Sequence, residues 1–189
     1  GNYQAVEFAG DTVRGLSMQE RMTLSNMSAE MGAQVGLIAA DSTTREYLKS
    51  VGVSPADIEQ YDYFETDDTA ECQRFDFDAS QLSPQVAAPH SPENTKAVAE
   101  FAHIKPSVAY IGACTGAKLV DLRAAAEVLK GRKVAPGVQL MVAPASARDQ
   151  AQAQREGVMQ ILMDAGASVL PNACGACAGY GGTFEEGAT

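Results

Sequence analysis

Three short apolar runs in the second half of the chain, at residues 107–111, 138–142 and 167–170, most constrain how it can fold. Each has the length of a β-strand, and each is followed or preceded by a segment long enough for a helix. Strands that alternate with helices predict a parallel sheet with right-handed crossovers. We expect helices at 118–129 and at 146–164, the second capped by Ser146. The second half is therefore predicted to be an α/β unit.

The first half has a similar rhythm but is less regular. A strand is predicted at 4–8, and the pattern Ser17-Met18-Gln19-Glu20 predicts a capping box that begins a helix. The apolar run at 35–40 suits a buried parallel strand. Further helices are expected to begin at Asp41 or Ser42 and at Pro55. The fold class is thus α/β, with parallel β-α-β units in two subdomains.

An acidic, proline-bearing stretch at 61–94 interrupts this rhythm. Within it, the alternation of polar and aromatic residues at 74–78 predicts an edge strand. The predicted domains are a first α/β subdomain at 1–78, a linker at 79–95 and a second α/β subdomain at 96–189.

Composition excludes several classes of function. The 189 residues carry a formal net charge of −10 and show no basic stripe, which argues against a nucleic-acid partner. No apolar stretch reaches the length of a membrane span, and no secretory signal pattern opens the chain. Four cysteines are too few for a disulfide scaffold and fit a reducing compartment. We therefore expect a cytoplasmic protein, without membrane contact.

Three of the four cysteines, Cys114, Cys174 and Cys177, lie in two glycine-rich loops that follow predicted strands. Parallel strands place their carboxyl ends at one edge of the sheet, so the two loops are expected to converge there. Three convergent thiolates can hold an iron–sulfur cluster and leave one metal atom open to a substrate. The surrounding glycines allow the backbone to approach such a ligand closely.

Other interpretations of the cysteines remain open at this stage. A structural zinc ion would need a fourth ligand, which Cys72 could supply. The two histidines, His90 and His103, are expected in a loop and before a strand, with no ligand role. A thioredoxin-like redox pair would begin a helix, and the glycines around Cys174 and Cys177 argue against one. The chain could also be a scaffold domain without a cluster.

The cysteine loops resemble signatures of the aconitase superfamily. The stretch Tyr110-Ile111-Gly112-Ala113-Cys114-Thr115 is similar to the sequence around the first cluster cysteine, and Ala173-Cys174-Gly175-Ala176-Cys177 to the second signature. Two segments in the first half, 6–10 and 22–27, are similar to further shared sequence. The likeness covers nearly the whole chain and is greatest to large subunits of the 3-isopropylmalate dehydratase and homoaconitase type.

The resemblance implies a hydro-lyase that dehydrates and rehydrates a 2-hydroxy di- or tricarboxylic acid, as in leucine biosynthesis. It implies a 4Fe–4S cluster held by Cys114, Cys174 and Cys177, whose open iron acts as a Lewis acid. It also implies that Glu7 is an active-site acid and that a small subunit with a swivelling domain is the partner.

The chain departs from the family pattern in places that bear on the substrate. Ala113 and Gly116 stand where members often have Ser and Asn, and Ala173 stands where they often have Ser. Arginines that bind substrate carboxylates are expected beyond Thr189. Both ends look like cuts through a larger protein, so we expect the piece to be inactive alone.

Overall fold

The computed structural model describes residues 3–60, 64–67, 69–180 and 188–189. They form two compact units, Gly1–Ala102 and His103–Thr189, which are described separately. The predicted linker at 79–95 lies within the first unit, where it contains a 3-10 turn at Ala79–Gln81 and the strand Gln85–Ala87. The predicted domain limits stay a prediction for the longer protein.

The second unit is a three-stranded parallel sheet with helices between its strands. The described part of the first unit contains four strands and four α-helices, so the numbering here starts at five. The elements in chain order are β5 (Val108–Gly112), α5 (Leu119–Leu129), β6 (Gln139–Ala143), α6 (Ala147–Arg155), α7 (Val158–Ala165) and β7 (Ser168–Val169). The strands lie in the order β5-β6-β7, and both pairs are parallel. The predicted α/β class and the parallel sheet are confirmed.

The core of this unit lies between the sheet and its helices. Val142 and Leu140 of the central strand pack with residues of all three helices, and α5 contacts both α6 and α7. The fully buried members of the core include Leu122, Ala153 and Leu162. Burial of each large apolar side chain stabilises the fold by about 1.5–3 kcal/mol. The register of β5 and β6 is therefore fixed by which residues face this core.

Tyr110 and Gly112 of β5 point to the opposite face of the sheet from that core. Successive side chains in a strand alternate between faces, and Ala109 and Ile111 are the β5 residues that pack against the core cluster. Tyr110 and Gly112 therefore share the other face, at the carboxyl end of the strand. This alternation places an aromatic ring beside the loop that carries Cys114.

The predicted helix at 146–164 forms as two helices. Gly157 adopts the left-handed conformation, with φ of 75°, and separates α6 from α7. A continuous helix cannot pass through such a residue, because its carbonyl and amide groups leave the helical hydrogen-bond series. Ser146 does cap the first of the two, since its side chain accepts a hydrogen bond from Asp149 N at 3.0 Å.

The first unit contains a parallel pair and a hairpin. Its regular elements are β1 (Ala5–Glu7), α1 (Asp11–Gly15), α2 (Met18–Met27), β2 (Val35–Leu37), α3 (Ser42–Ser50), α4 (Pro55–Glu59), β3 (Gln85–Ala87) and β4 (Thr95–Ala97). Strands β1 and β2 are parallel, and β3 and β4 are antiparallel. The predicted edge strand at 74–78 is wrong, since those residues form neither helix nor strand.

Sequence-predicted caps in this unit are confirmed. Ser17 and Glu20 form both hydrogen bonds of the capping box. Asp41 caps α3 and also pairs with Arg21, whose guanidinium donates to it at 2.7 and 2.9 Å. Gly36 lets α2 approach β2, because a Cβ there would lie 2.0 Å from Ser28 Oγ. These contacts fix how α2 packs on the parallel pair.

Candidate iron–sulfur site

The two cysteine loops follow strands on either side of β6 and leave the same edge of the sheet. Cys114 lies two residues beyond β5, and Cys174 lies five residues beyond β7. Both strands are parallel to β6, so their carboxyl ends lie at one edge. The strand-end placement predicted for the cysteines is what this structure has.

Hydrogen bonds join both cysteine loops to the loop that follows β6. Ala145 N donates to Ala117 O at 2.8 Å, next to the Cys114 loop. On the other side, Asn172 Nδ2 donates to Pro144 O at 3.1 Å, next to the Cys174 loop. Pro144 is fully buried, so this central loop is a fixed support. These two hydrogen bonds, to the carbonyls of Ala117 and Pro144, hold both cysteine loops against the same central loop although the cysteines are far apart in sequence.

The Cys114 loop is held by a buried lysine. Lys118, only 7% exposed, donates from Nζ to the carbonyl of Cys114 at 2.6 Å. Its backbone N–H donates to Asp121 Oδ2 at 3.0 Å at the start of α5. The loop is also tight, because a Cβ on Gly116 would lie 2.9 Å from the carbonyl oxygen of Gly112. No sequence motif indicated this role of Lys118.

The Cys174–Cys177 pair lies on a 3-10 turn at Ala176–Ala178. The amides of Ala178 and Tyr180 both donate to the carbonyl of Gly175 at 3.0 Å. Gly179 closes the turn in the left-handed conformation, with φ of 75°. Within the described residues 174–180, no α-helix begins at the pair, as the glycines predicted. Two further glycines of this loop, Gly181 and Gly182, lie outside the described residues.

Tyr110 lies near the carboxyl end of β5, four residues before Cys114. Burial raises the pKa of its hydroxyl above the ordinary value, and interactions with the Cys177 side chain, then with Cys114 and Cys174, raise it further. The hydroxyl oxygen is buried, and among the described residues no group meets the geometry of a full hydrogen bond to it. The Cys177 side chain is thus near enough to interact with the hydroxyl without forming a well-aligned hydrogen bond.

The thiols are exposed at this edge and form no disulfide. All four cysteines of the chain lie in the described part, and all are exposed. Among the described residues, no three Cys, His, Asp or Glu side chains converge closely enough to hold a single metal ion. A cluster makes a different demand, because each of its protein thiolates binds a different iron and the sulfurs stand further apart.

The other predicted residues belong to the first unit or to its border. Glu7 is exposed at the end of β1, and its carboxylate accepts a hydrogen bond from Thr66 Oγ1. Cys72 is exposed in a segment without regular structure. His90 lies in the β3–β4 connection with φ of 96°, and His103 is exposed before β5. No helix among the described residues has the length and apolarity needed to cross a lipid bilayer.

Fold and loops together define an α/β protein whose parallel strands bring three cysteines to one sheet edge. The chain matches the aconitase family (aconitate hydratase) over residues 1–105 and 94–189, and it belongs to that family.

Its relatives carry a consistent name. It is 42% identical over 183 residues to "3-isopropylmalate dehydratase large subunit 1" of Archaeoglobus fulgidus, covering 97% of this chain and 42% of that protein. It is 41% identical to the "3-isopropylmalate dehydratase large subunit" of Elusimicrobium minutum, covering 98% and 44%. The Aquifex aeolicus protein of that name is 40% identical, covering 98% and 43%. The chain thus spans about two fifths of the length of these relatives.

Proposed function

We propose that this chain is the cluster-binding part of a hydro-lyase large subunit. The complete protein, joined to a small subunit, would dehydrate and rehydrate a 2-hydroxy di- or tricarboxylic acid of the isopropylmalate or homoaconitate type. One observation carries the proposal: cysteines from two distant loops follow parallel strands to one sheet edge, where hydrogen bonds join both loops to the loop after β6. The name shared by the relatives supports the reaction class.

The residues at the edge fit a 4Fe–4S cluster held by Cys114, Cys174 and Cys177. The buried Tyr110 hydroxyl meets no hydrogen-bond partner among the described residues, and the sulfurs of such a group are acceptors. Tight turns at Gly116 and Gly179 lie within the two cysteine loops. When bound, the cluster supplies an iron without a protein thiolate, which serves as a Lewis acid on the substrate hydroxyl and carboxylate.

The chain's own residues would orient the cluster and transfer one proton. The Lys118 ammonium fixes the Cys114 carbonyl and thereby the direction of the Cys114 loop. Asn172 holds the second loop against Pro144. We assign Glu7 to proton transfer at the departing hydroxyl, since a carboxylate at a strand end suits general acid–base catalysis. The small subunit would complete the substrate site.

A paired activity assay tests this proposal on the complete protein with its small subunit. After anaerobic loading with iron and sulfide, the unsaturated acid is followed by its ultraviolet absorbance, which rises as 3-isopropylmalate loses water and falls as homoaconitate takes up water. We expect turnover with one of them, and a loss of about 10²–10⁴-fold in kcat for Glu7→Gln at unchanged iron content. Glu30→Gln, an exposed carboxylate of the same unit, serves as the control. Iron loading without turnover of either acid would contradict the proposed reaction.

A further inference from the structure

One buried hydroxyl at the cysteine edge lacks a well-formed hydrogen bond to the described residues. The Tyr110 oxygen is inaccessible to solvent and meets no described group at hydrogen-bond geometry. A buried hydroxyl without a hydrogen bond destabilises the fold, because it has lost its water partners and gained none in exchange. Buried phenols usually find a partner, so an orphan one indicates a group that binds beside it.

The fold keeps the ring in this place. Tyr110 and Gly112 lie on the same face of β5, two residues apart, and the ring lies across Gly112. A Cβ on Gly112 would stand 2.4 Å from the Tyr110 hydroxyl oxygen and 2.3 Å from Cζ. The glycine therefore leaves the space that the end of the phenol occupies. Two residues further on is Cys114, so the hydroxyl is aimed at the start of its loop.

Both cysteine loops are held at the sheet edge where this hydroxyl lies, because Ala145 N donates to Ala117 O and Asn172 Nδ2 donates to Pro144 O. After burial, interactions with Cys177 and then with Cys114 and Cys174 also raise the pKa of the hydroxyl, as expected for a group at this edge. The exposed Tyr180, three residues beyond Cys177, has no such position, since its side chain is largely in solvent.

We propose that the Tyr110 hydroxyl donates a hydrogen bond to a sulfur of the group held by the three cysteines and so sets its reduction potential. The inference rests on the proposed function. A donor to a cluster sulfur favours the oxidation state with more negative charge, and hydrogen bonds to sulfur are among the factors that tune these potentials. Tyr110 acts here as a positioning and tuning residue, since it supplies no ligand bond.

The test compares Tyr110→Phe with the unsubstituted complete protein after anaerobic loading with iron and sulfide. The substitution removes only the hydroxyl and keeps the ring over Gly112. We expect a more negative reduction potential by optical or electron paramagnetic resonance titration. A tenfold change in the relative stability of the two states corresponds to about 59 mV for one electron. Tyr180→Phe, which removes an exposed hydroxyl from the same region, is the matched control and should leave the potential unchanged.

A second measurement uses the cluster-free protein. There the unpartnered hydroxyl is a cost, so Tyr110→Phe should be as stable as the unsubstituted protein or more so, whereas the loaded variant should lose iron faster to a chelator. Equal potentials and equal iron loss in the loaded proteins would overturn the inference while the proposed function stands. Failure of the unsubstituted protein to assemble any cluster would overturn the proposed function and this inference with it.

Discussion

Substituting Gly112 by Ala tests how the end of β5 is built. The new methyl group would lie 2.3 to 2.7 Å from Cζ, Oη and Cε1 of Tyr110, so the ring must move. Ordinary carbon contacts are about 3.5–4.0 Å, which makes the required shift about 1–1.5 Å. Overpacking of this kind costs about 1–3 kcal/mol. Gly112 itself does not have a positive φ, so the backbone can accept alanine.

The same substitution should behave differently when Tyr110 is already truncated. In a Tyr110→Ala background the obstructing ring is gone, and alanine in a strand is favoured over glycine by about 0.5–1 kcal/mol. The sign of the Gly112→Ala effect should therefore reverse. The expected coupling energy between the two positions is about 1.5–4 kcal/mol.

Hydrogen exchange of the complete protein measures this coupling. Peptides that cover Gln139–Ala143 report the opening free energy of the central strand in the four proteins of the double-mutant cycle. Gly15→Ala, which meets no atom within 4 Å, controls for a general effect of the extra methyl group. An equal cost of Gly112→Ala in both backgrounds would refute the packing that we describe.

Two further predictions concern charged groups. Lys118→Met removes the ammonium that binds the Cys114 carbonyl, a contact worth about 1.5–3 kcal/mol. Amide hydrogen exchange in the Cys114 loop should therefore be faster in this variant. Lys130→Met, which removes an exposed ammonium, is the control and should leave that exchange unchanged. The hydrogen bond from Arg21 lowers the pKa of Asp41 in the folded protein. The pair therefore stabilises the first unit fully at pH values above the pKa of Asp41 in the unfolded chain, about 3.9. This stabilisation is lost as the pH falls through the lower pKa that Asp41 has in the folded protein. In Asp41→Asn, which keeps a capping side chain, acid melting curves should lose this pH-dependent part; an unchanged acid profile would refute the assignment.

Much of the fold could be predicted because local signals agreed with one another. The capping box at Ser17 and the strand β5 are fixed by short-range sequence, and both formed where the sequence indicated. Gly157 was read as an ordinary helical position, but its left-handed conformation divides the helix. At 74–78, alternation alone predicted a strand, yet no pairing partner in the described residues completes one. A strand depends on such a partner more than a helix does.

The placement of the cysteine loops at one sheet edge could be predicted from the sequence, but the side chains that support these loops could not. Cysteine spacing after apolar runs pointed to one sheet edge. The roles of Tyr110 and Lys118 depend on which side chain fills which space, and a single sequence does not contain that information. A usable signal was present for Tyr110, because an aromatic residue two positions before Gly112 must share its strand face. The place of Glu7 in the proposed reaction stays a prediction.

The iron and sulfide content of the complete protein after anaerobic reconstitution, measured together with its visible absorption, tests directly whether the three cysteines hold a cluster. We expect about four irons and four sulfides per chain for the unsubstituted protein and for Cys72→Ser, and loss of the cluster absorption in Cys177→Ser. Zinc binding that disappears in Cys72→Ser, or a full cluster in Cys177→Ser, would contradict the claim that Cys114, Cys174 and Cys177 hold the cluster.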